Sequence, residues 1–198
     1  MEKPAILDRV EAHGFVTFDG PWNVNVIAVR TKDGVPNVFD DWLHIVYQDA
    51  AGNWQNLAVK CTTDPGLYFL HKPYNPDFGT AILVAPQQAR GSYRIDKHAG
   101  QYDALCQRGK NPVSVYRDRN KDSIHDHDPD TITSGSNYGI NVHRAAAYGR
   151  GVSQTVHNWS AGCVVVQCPL EFDAVMAVLK KSADIYGNSF TLTILNQE

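Results

Sequence analysis

Gly139-Ile-Asn-Val-His143 and Ser160-Ala-Gly-Cys163-Val-Val-Val-Gln167 bracket the stretch that decides how this chain is read. The first segment is a β-type run that delivers a histidine. The second is a turn of small residues that delivers a cysteine, followed by valines whose branched Cβ atoms favour extended backbone. A thiol at the head of one strand and an imidazole at the end of another are the parts a cysteine nucleophile needs. Ala161 and Gly162 leave the backbone bare, so the N–H groups of Gly162 and Cys163 can face an oxyanion, a donor worth ~3 kcal/mol. Ser160 can hydrogen-bond locally and hold the turn, and Tyr138 brings a hydroxyl close before His143. Each residue also has a plainer use. A cysteine opening a valine strand is often core, and a lone histidine is more often a satisfied residue than a base. The pairing of the two favours chemistry.

Working outward, most of the chain reads as strands and turns. Residues 24–30 alternate, and residues 42–47 and 54–59 flank Asp49-Ala-Ala-Gly-Asn53 as a hairpin. Residues 80–84 and 92–95 flank 86–91 and are expected to form a second hairpin. Pro169 suits a first helical position, with Glu171 and Asp173 at the positive end of the dipole and Lys180 and Lys181 in the last turn. Leu170, Phe172, Val175, Met176 and Leu179 give that helix one apolar face, which implies packing on a sheet. Residues 190–194 alternate as a final strand, and a short helix is expected near residues 6–12. The chain therefore reads as one mainly-β domain over residues 1–198, a β-rich N-terminal part at 1–78 preceding a catalytic core at 79–198.

With 18 Lys+Arg against 21 Asp+Glu in 198 residues, no basic stripe points to nucleic acid. No apolar run is long enough for a signal peptide or a membrane span, so synthesis in a cytoplasm and no membrane partner are expected. Cys61, Cys106, Cys163 and Cys168 show neither a CxxC pair nor zinc-finger spacing, and a disulfide framework is not expected. A monomer is expected.

These residues resemble the L,D-transpeptidase (YkuD-type) catalytic domain, whose hallmark is a strand ending in His, a loop, then Ser-His-Gly-Cys opening the next strand. The matching parts are Asn141-Val-His143, the loop 144–159 and Ser160-Ala-Gly-Cys163, with a weaker match at Gly91-Ser-Tyr-Arg-Ile95. The resemblance covers roughly residues 80–166 and implies a β-sandwich or barrel, with extra N-terminal strands and one helix after the cysteine strand. It implies Cys163 as the nucleophile that forms a thioester with a peptide-stem carbonyl, and His143 as base. The backbone around Gly162 would then be the oxyanion hole, with Ser160 in support. Arg144 and Trp159, at the two ends of the loop, are substrate-binding candidates, and Tyr148 is a further aromatic. Two positions depart from the pattern. Ala161 replaces the histidine between Ser and Gly, and Val165 stands where an arginine is expected. The second departure and the missing export signal favour hydrolysis over cross-linking. The expectation is an endolysin-like peptidase acting on peptidoglycan stem peptides or cross-links after release or as part of a virion. An L,D-transpeptidase proper and a non-catalytic cell-wall-binding or virion structural module are the alternatives.

Asp118-Arg-Asn120-Lys-Asp122-Ser-Ile124-His-Asp126 places oxygen side chains at alternating positions, like the first part of a calcium loop, with Ile124 offering its carbonyl. Ser123 stands where that loop turns on glycine, and no glutamate follows at its twelfth position. The expectation is that no cofactor is required and that calcium is structural here. A solvated acidic loop is the alternative, and His125 and His127 with Asp126 or Asp128 raise a zinc reading whose third ligand would come from His98 or His143.

Overall fold

The computed structural model describes residues 2–146 and 151–198. Eight strands close into a barrel in the order β1 (Asn25–Arg30), β11 (Phe190–Asn196), β5 (Gln87–His98), β6 (Tyr102–Gln107), β9 (Val142–Arg144), β10 (Val164–Val166), β3 (Trp54–Thr62) and β2 (Asp41–Gln48), which returns to β1. Each barrel strand pairs with a neighbour on both sides. The β1–β11 and β9–β10 pairs are parallel, and the other pairs are antiparallel. A separate sheet has the order β4 (Thr80–Leu83), β7 (Val113–Asp118), β8 (Thr133–Gly135).

Alternation along each strand decides what it buries. In β1, Val26 and Ala28 join the main core, while Ile27 and Val29 face a second cluster with Ile6, Leu7 and Val10 of α1 (Ala5–Ala12). Both faces of β1 are therefore covered, which is why its apolar run is nearly continuous. A fully buried valine, leucine or isoleucine such as Val26, Leu7 or Ile27 stabilises the fold by roughly 1.5–3 kcal/mol. The strands of the first 78 residues thus belong to the same barrel as β9 and β10, and β3 pairs directly with β10.

The expected hairpin between residues 80–84 and 92–95 does not form. β4 pairs with β7, and β5 pairs with β6 and β11. Pro86 lies at the break, where it can give no N–H to a ladder. The Gln87 side chain joins the two sheets instead, donating to the Val84 and Ser114 carbonyls and accepting from the Ser114 N–H. The long helix α2 (Pro169–Tyr186) starts at proline as expected but runs past Lys180 and Lys181 and ends at Gly187, whose φ is +88°. Its Phe172, Val175, Met176 and Leu179 enter the main core, whereas Leu170 is half exposed and leaves the expected apolar face. Among the described residues, no helix is long and apolar enough to cross a membrane.

Candidate active site

β9 and β10 lie side by side in parallel, with Val142 opposite Val164 and His143 opposite Val165. Val142, Val164 and Val166 fill the barrel core. The alternate positions face away from it, so His143 and Cys163 emerge on a common side. Both line a cavity of about 420 Å³, together with Tyr138, Arg144, Trp159 and Ala161. The strand contexts read from the sequence are shifted by a few residues, since β9 begins only at Val142 and carries His143 in its middle.

His143 is buried, and its Nδ1 lies 2.9 Å from the Arg144 carbonyl oxygen. A carbonyl only accepts, so Nδ1 carries the proton and Nε2 keeps its lone pair. The Tyr102 hydroxyl donates to the same carbonyl at 3.2 Å and lies 3.5 Å from Nδ1. The Cys163 sulfur accepts the Asn141 N–H at 3.3 Å and, as a thiol, donates to the Gly139 carbonyl at 3.6 Å. Among the described residues, no hydrogen bond joins Sγ to the imidazole.

Burial governs both groups. It pushes the Cys163 thiol up to about 11, against the smaller opposing effect of the Asn141 N–H. It also holds His143 down to about 3, with the neighbouring His98 acting in the same direction. The resting pair is thus a neutral thiol and a neutral imidazole. A preformed thiolate does not fit this arrangement.

The Ser160 hydroxyl is fully buried and holds the turn, donating to the Cys163 carbonyl at 2.8 Å and accepting the Gly162 N–H at 3.2 Å. The Gly162 N–H is therefore engaged in this state, and the expectation that it faces an oxyanion is corrected. Cys163 and Tyr138, which line the same cavity, bring an N–H and a hydroxyl as the remaining candidate donors. Gly162 has φ +113°, and a Cβ there would collide with the Ala81 carbonyl oxygen, so only glycine fits.

The substrate-binding candidates have structural duties too. Trp159 packs against Phe39, Ala145, Val156 and Val165 while lining the cavity. The Arg144 guanidinium sits 4.5 Å over the Tyr102 ring and 3.7 Å from Asp173. Tyr138 stacks under Arg117 at 4.6 Å. Val165 is fully buried in the Trp159 cluster, away from any role as a substitute for a substrate-facing arginine. Tyr148 lies outside the described residues.

Sequence reasoning missed His98 as part of the cysteine site. Its ring stacks on His143 with centres 4.0 Å apart, and its Nδ1 is 3.1 Å from the Asn141 amide nitrogen. The turn at Ala99-Gly100 between β5 and β6 signals a hairpin, but nothing local says that this hairpin pairs with β9 through Leu105 and Val142.

The acidic loop leaves β7 at Asp118. The Asn120 amide nitrogen donates to Asp122 at 3.0 Å and Asp126 at 2.7 Å, and the Asp126 N–H donates to Asp118 at 3.3 Å. Ile124 is exposed, and its N–H donates to Asp122. His125 and His127 lie outside any strand. They approach Asp64, at 3.9 Å and 4.0 Å, in a cavity of about 690 Å³ that also holds Arg30 but no cysteine. That cavity is the larger of the two, yet it lacks the nucleophile. Among the described residues, no three His, Cys, Asp or Glu side chains stand ready as a metal cage.

Comparison with family models, with curated proteins and with solved structures returns no match for the chain.

Proposed function

We propose that the protein is a cysteine peptidase that cleaves peptidoglycan stem peptides or their cross-links through a Cys163 thioester. The observation that carries the chemistry is the fixed tautomer of His143, which leaves Nε2 unprotonated on a side chain that lines the same cavity as Cys163. The substrate class rests on the resemblance of the Asn-Val-His strand and the Ser-Ala-Gly-Cys turn to the L,D-transpeptidase pattern.

When substrate enters, the thiol turns from the Gly139 carbonyl toward His143. Nε2 takes the proton as Sγ bonds to the carbonyl carbon, and the oxyanion forms near the Cys163 N–H and the Tyr138 hydroxyl. The imidazolium then protonates the leaving amine as the C–N bond breaks, which leaves the thioester. Water attacks next, His143 again taking and returning the proton, and the carboxylic acid departs with the thiol restored. The Asn141 N–H at 3.3 Å stabilises negative charge on sulfur whenever it appears.

The test is digestion of isolated peptidoglycan by wild type and by Cys163→Ala, with the released fragments weighed by mass spectrometry. New amine and carboxyl ends from wild type alone support the proposal. New cross-links would assign a transpeptidase instead, and identical profiles would leave a non-catalytic module.

A further inference from the structure

The geometry points to a second subsite beside the thiol, in which Arg117 takes a free carboxylate of the substrate peptide. This rests on the peptidase reading of Cys163 and adds what the substrate must carry.

A cavity of about 490 Å³ adjoins the one that holds Cys163 and His143, and Tyr74, Ala81, Tyr138 and Ala161 line both. The small sheet fixes its place. Arg117 of β7 stands directly opposite Ala81 of β4, so the two side chains share one face. Ala81 is also the residue whose carbonyl oxygen crowds the Gly162 backbone. The β4–β7 register therefore sets Arg117 one strand away from the turn that presents the thiol. Ala161, where the resemblance expects a histidine, adds only a methyl group to the shared wall.

The Arg117 guanidinium is held but not satisfied. Its Nε donates to the Thr133 hydroxyl of β8 at 3.0 Å, and its Cζ lies 4.6 Å from the Tyr138 ring centre and 6.0 Å from that of Phe78. Gly135 lets the Tyr138 ring lie against β8, since a Cβ there would come 2.9 Å from the ring. Among the described residues, no carboxylate pairs with Arg117 and neither Nη makes a hydrogen bond. A guanidinium stacked on rings keeps its in-plane N–H fork free, and that fork matches the two oxygens of a carboxylate. Arg117 is the one charged side chain among the described residues lining this cavity, which suits a single carboxylate rather than a polyanion.

The rings give the subsite an apolar wall. Tyr74 is 84 % exposed and Phe78 52 %, although large aromatic side chains are usually well buried. Both are nevertheless fixed in place. Tyr74 stacks on Phe69 at 4.7 Å, and Asn75 Oδ1 accepts the Asp77 and Phe78 N–H groups at 3.1 Å and 3.3 Å. An exposed aromatic pair beside a free cationic fork fits a peptide whose carboxylate stands next to an aliphatic side chain.

The probe is the synthetic stem tetrapeptide Ala-D-Glu-Lys-D-Ala, whose free carboxylates are its C-terminus and the D-Glu α-carboxylate. It is compared with versions amidated at either position and at both. Binding to full-length Cys163→Ala, which cannot turn the peptides over, is followed by calorimetry. The doubly amidated peptide should bind about tenfold or more weakly than the acid, and the single amidation that reproduces this loss identifies the carboxylate. Arg117→Gln in the same background should erase the preference for acid over amide, and Arg117→Lys, which keeps the charge without the fork, should retain part of it. A residue that merely props Tyr138 would weaken acid and amide alike and leave their ratio unchanged. That unchanged ratio, or equal binding of acid and amide by the Arg117 protein, would overturn the subsite and leave the Cys163 chemistry standing. Because the acid–amide comparison in the Arg117 protein needs no further variant, misfolding of Arg117→Gln does not remove the test, and Arg117→Lys then reports on the side chain. An Arg117-dependent preference without cleavage of peptidoglycan would support the subsite and remove the peptidase. Failure of every peptide to bind at ~10 mM would remove both.

Discussion

His98 lies face to face with His143, their ring centres 4.0 Å apart and their planes 16° from parallel. His98 comes from the end of β5 and His143 from β9, so the stack joins the two strands that flank β6. His98 is also one of the causes that hold the His143 pKa down, after burial. Replacing it by phenylalanine keeps an aromatic face and removes the charge. In His98→Phe, the His143 imidazole followed by NMR should titrate at higher pH than in wild type while staying below its ordinary value, because burial remains. An unmoved midpoint would show that the two rings are electrostatically independent.

Burial of neutral His143 also makes stability depend on pH. Its folded pKa is about 3, and the unfolded chain restores ~6.5. Between those values the unfolded chain binds the proton and the folded one does not. The contribution is therefore complete above about pH 6.5 and falls toward pH 3, by up to ~1.4 kcal/mol per pH unit. Asp41 acts in the opposite sense, since burial and the nearby Asp64 raise its carboxyl, so the total curve mixes the two. The difference between wild type and His143→Gln isolates the imidazole. Urea unfolding at about pH 7 and pH 4 should show the variant losing less stability than wild type, and parallel losses would contradict a buried neutral ring.

The state of the Cys163 thiol predicts how it is alkylated. With its pKa pushed up to about 11, the thiolate fraction rises about tenfold per pH unit across the neutral and mildly alkaline range. Iodoacetamide labelling of Cys163, measured by peptide mass, should climb through about pH 9 without a plateau. A plateau near neutrality would reveal a thiolate–imidazolium pair and remove the case for His143 as a base acting during attack.

The barrel strands with clean alternation were legible because each strand's pattern reflects what covers it. The 42–47 and 54–59 runs became β2 and β3, and the 190–194 run became part of β11. Cys163 and His143 could be paired in the sequence because His143 sits on β9 and Cys163 just before the neighbouring β10, close in the chain. His98 could not, since its place depends on a non-local β6–β9 contact that leaves no local signal. The false hairpin at residues 80–95 has the same origin: two β-type runs around a turn do not say which sheet each will join. Ionisation is not legible in the sequence, which shows chemical neighbours and not burial, and burial is the larger cause at both Cys163 and His143.

Ser160 and Gly162 define the turn that presents the thiol. Gly162→Ala forces a side chain into a φ of +113° against the Ala81 carbonyl, which should cost ~3 kcal/mol. Ser160→Ala leaves the Gly162 N–H and the Cys163 carbonyl without their hydroxyl partner, at ~1–3 kcal/mol. Chemical denaturation measures both. The serine variant should also lose peptidoglycan cleavage out of proportion to its stability if the turn positions Cys163, and unchanged cleavage by a folded Ser160→Ala would remove that role.

Arg30 lies between two buried carboxylates. Its Nη2 is 2.9 Å from Asp64, and its Nε donates to Thr63 Oγ1, which in turn donates to Asp41. Its positive charge helps hold the Asp64 carboxyl well below the usual carboxylate range, against burial that acts the other way. Removing the cation alone leaves a buried charge without its partner, so Arg30→Met should destabilise by ~3–5 kcal/mol. Removing both charges deletes the desolvation penalty along with the attraction, so Arg30→Met with Asp64→Leu should be less destabilised than Arg30→Met alone. Urea titrations of the two single variants and the double variant complete the cycle. If Arg30→Met costs less than about 1 kcal/mol, His125 and His127, already within 4.0 Å of Asp64, have taken over as its partners. The pair would then be a replaceable contact rather than the support of the β1 end of the barrel.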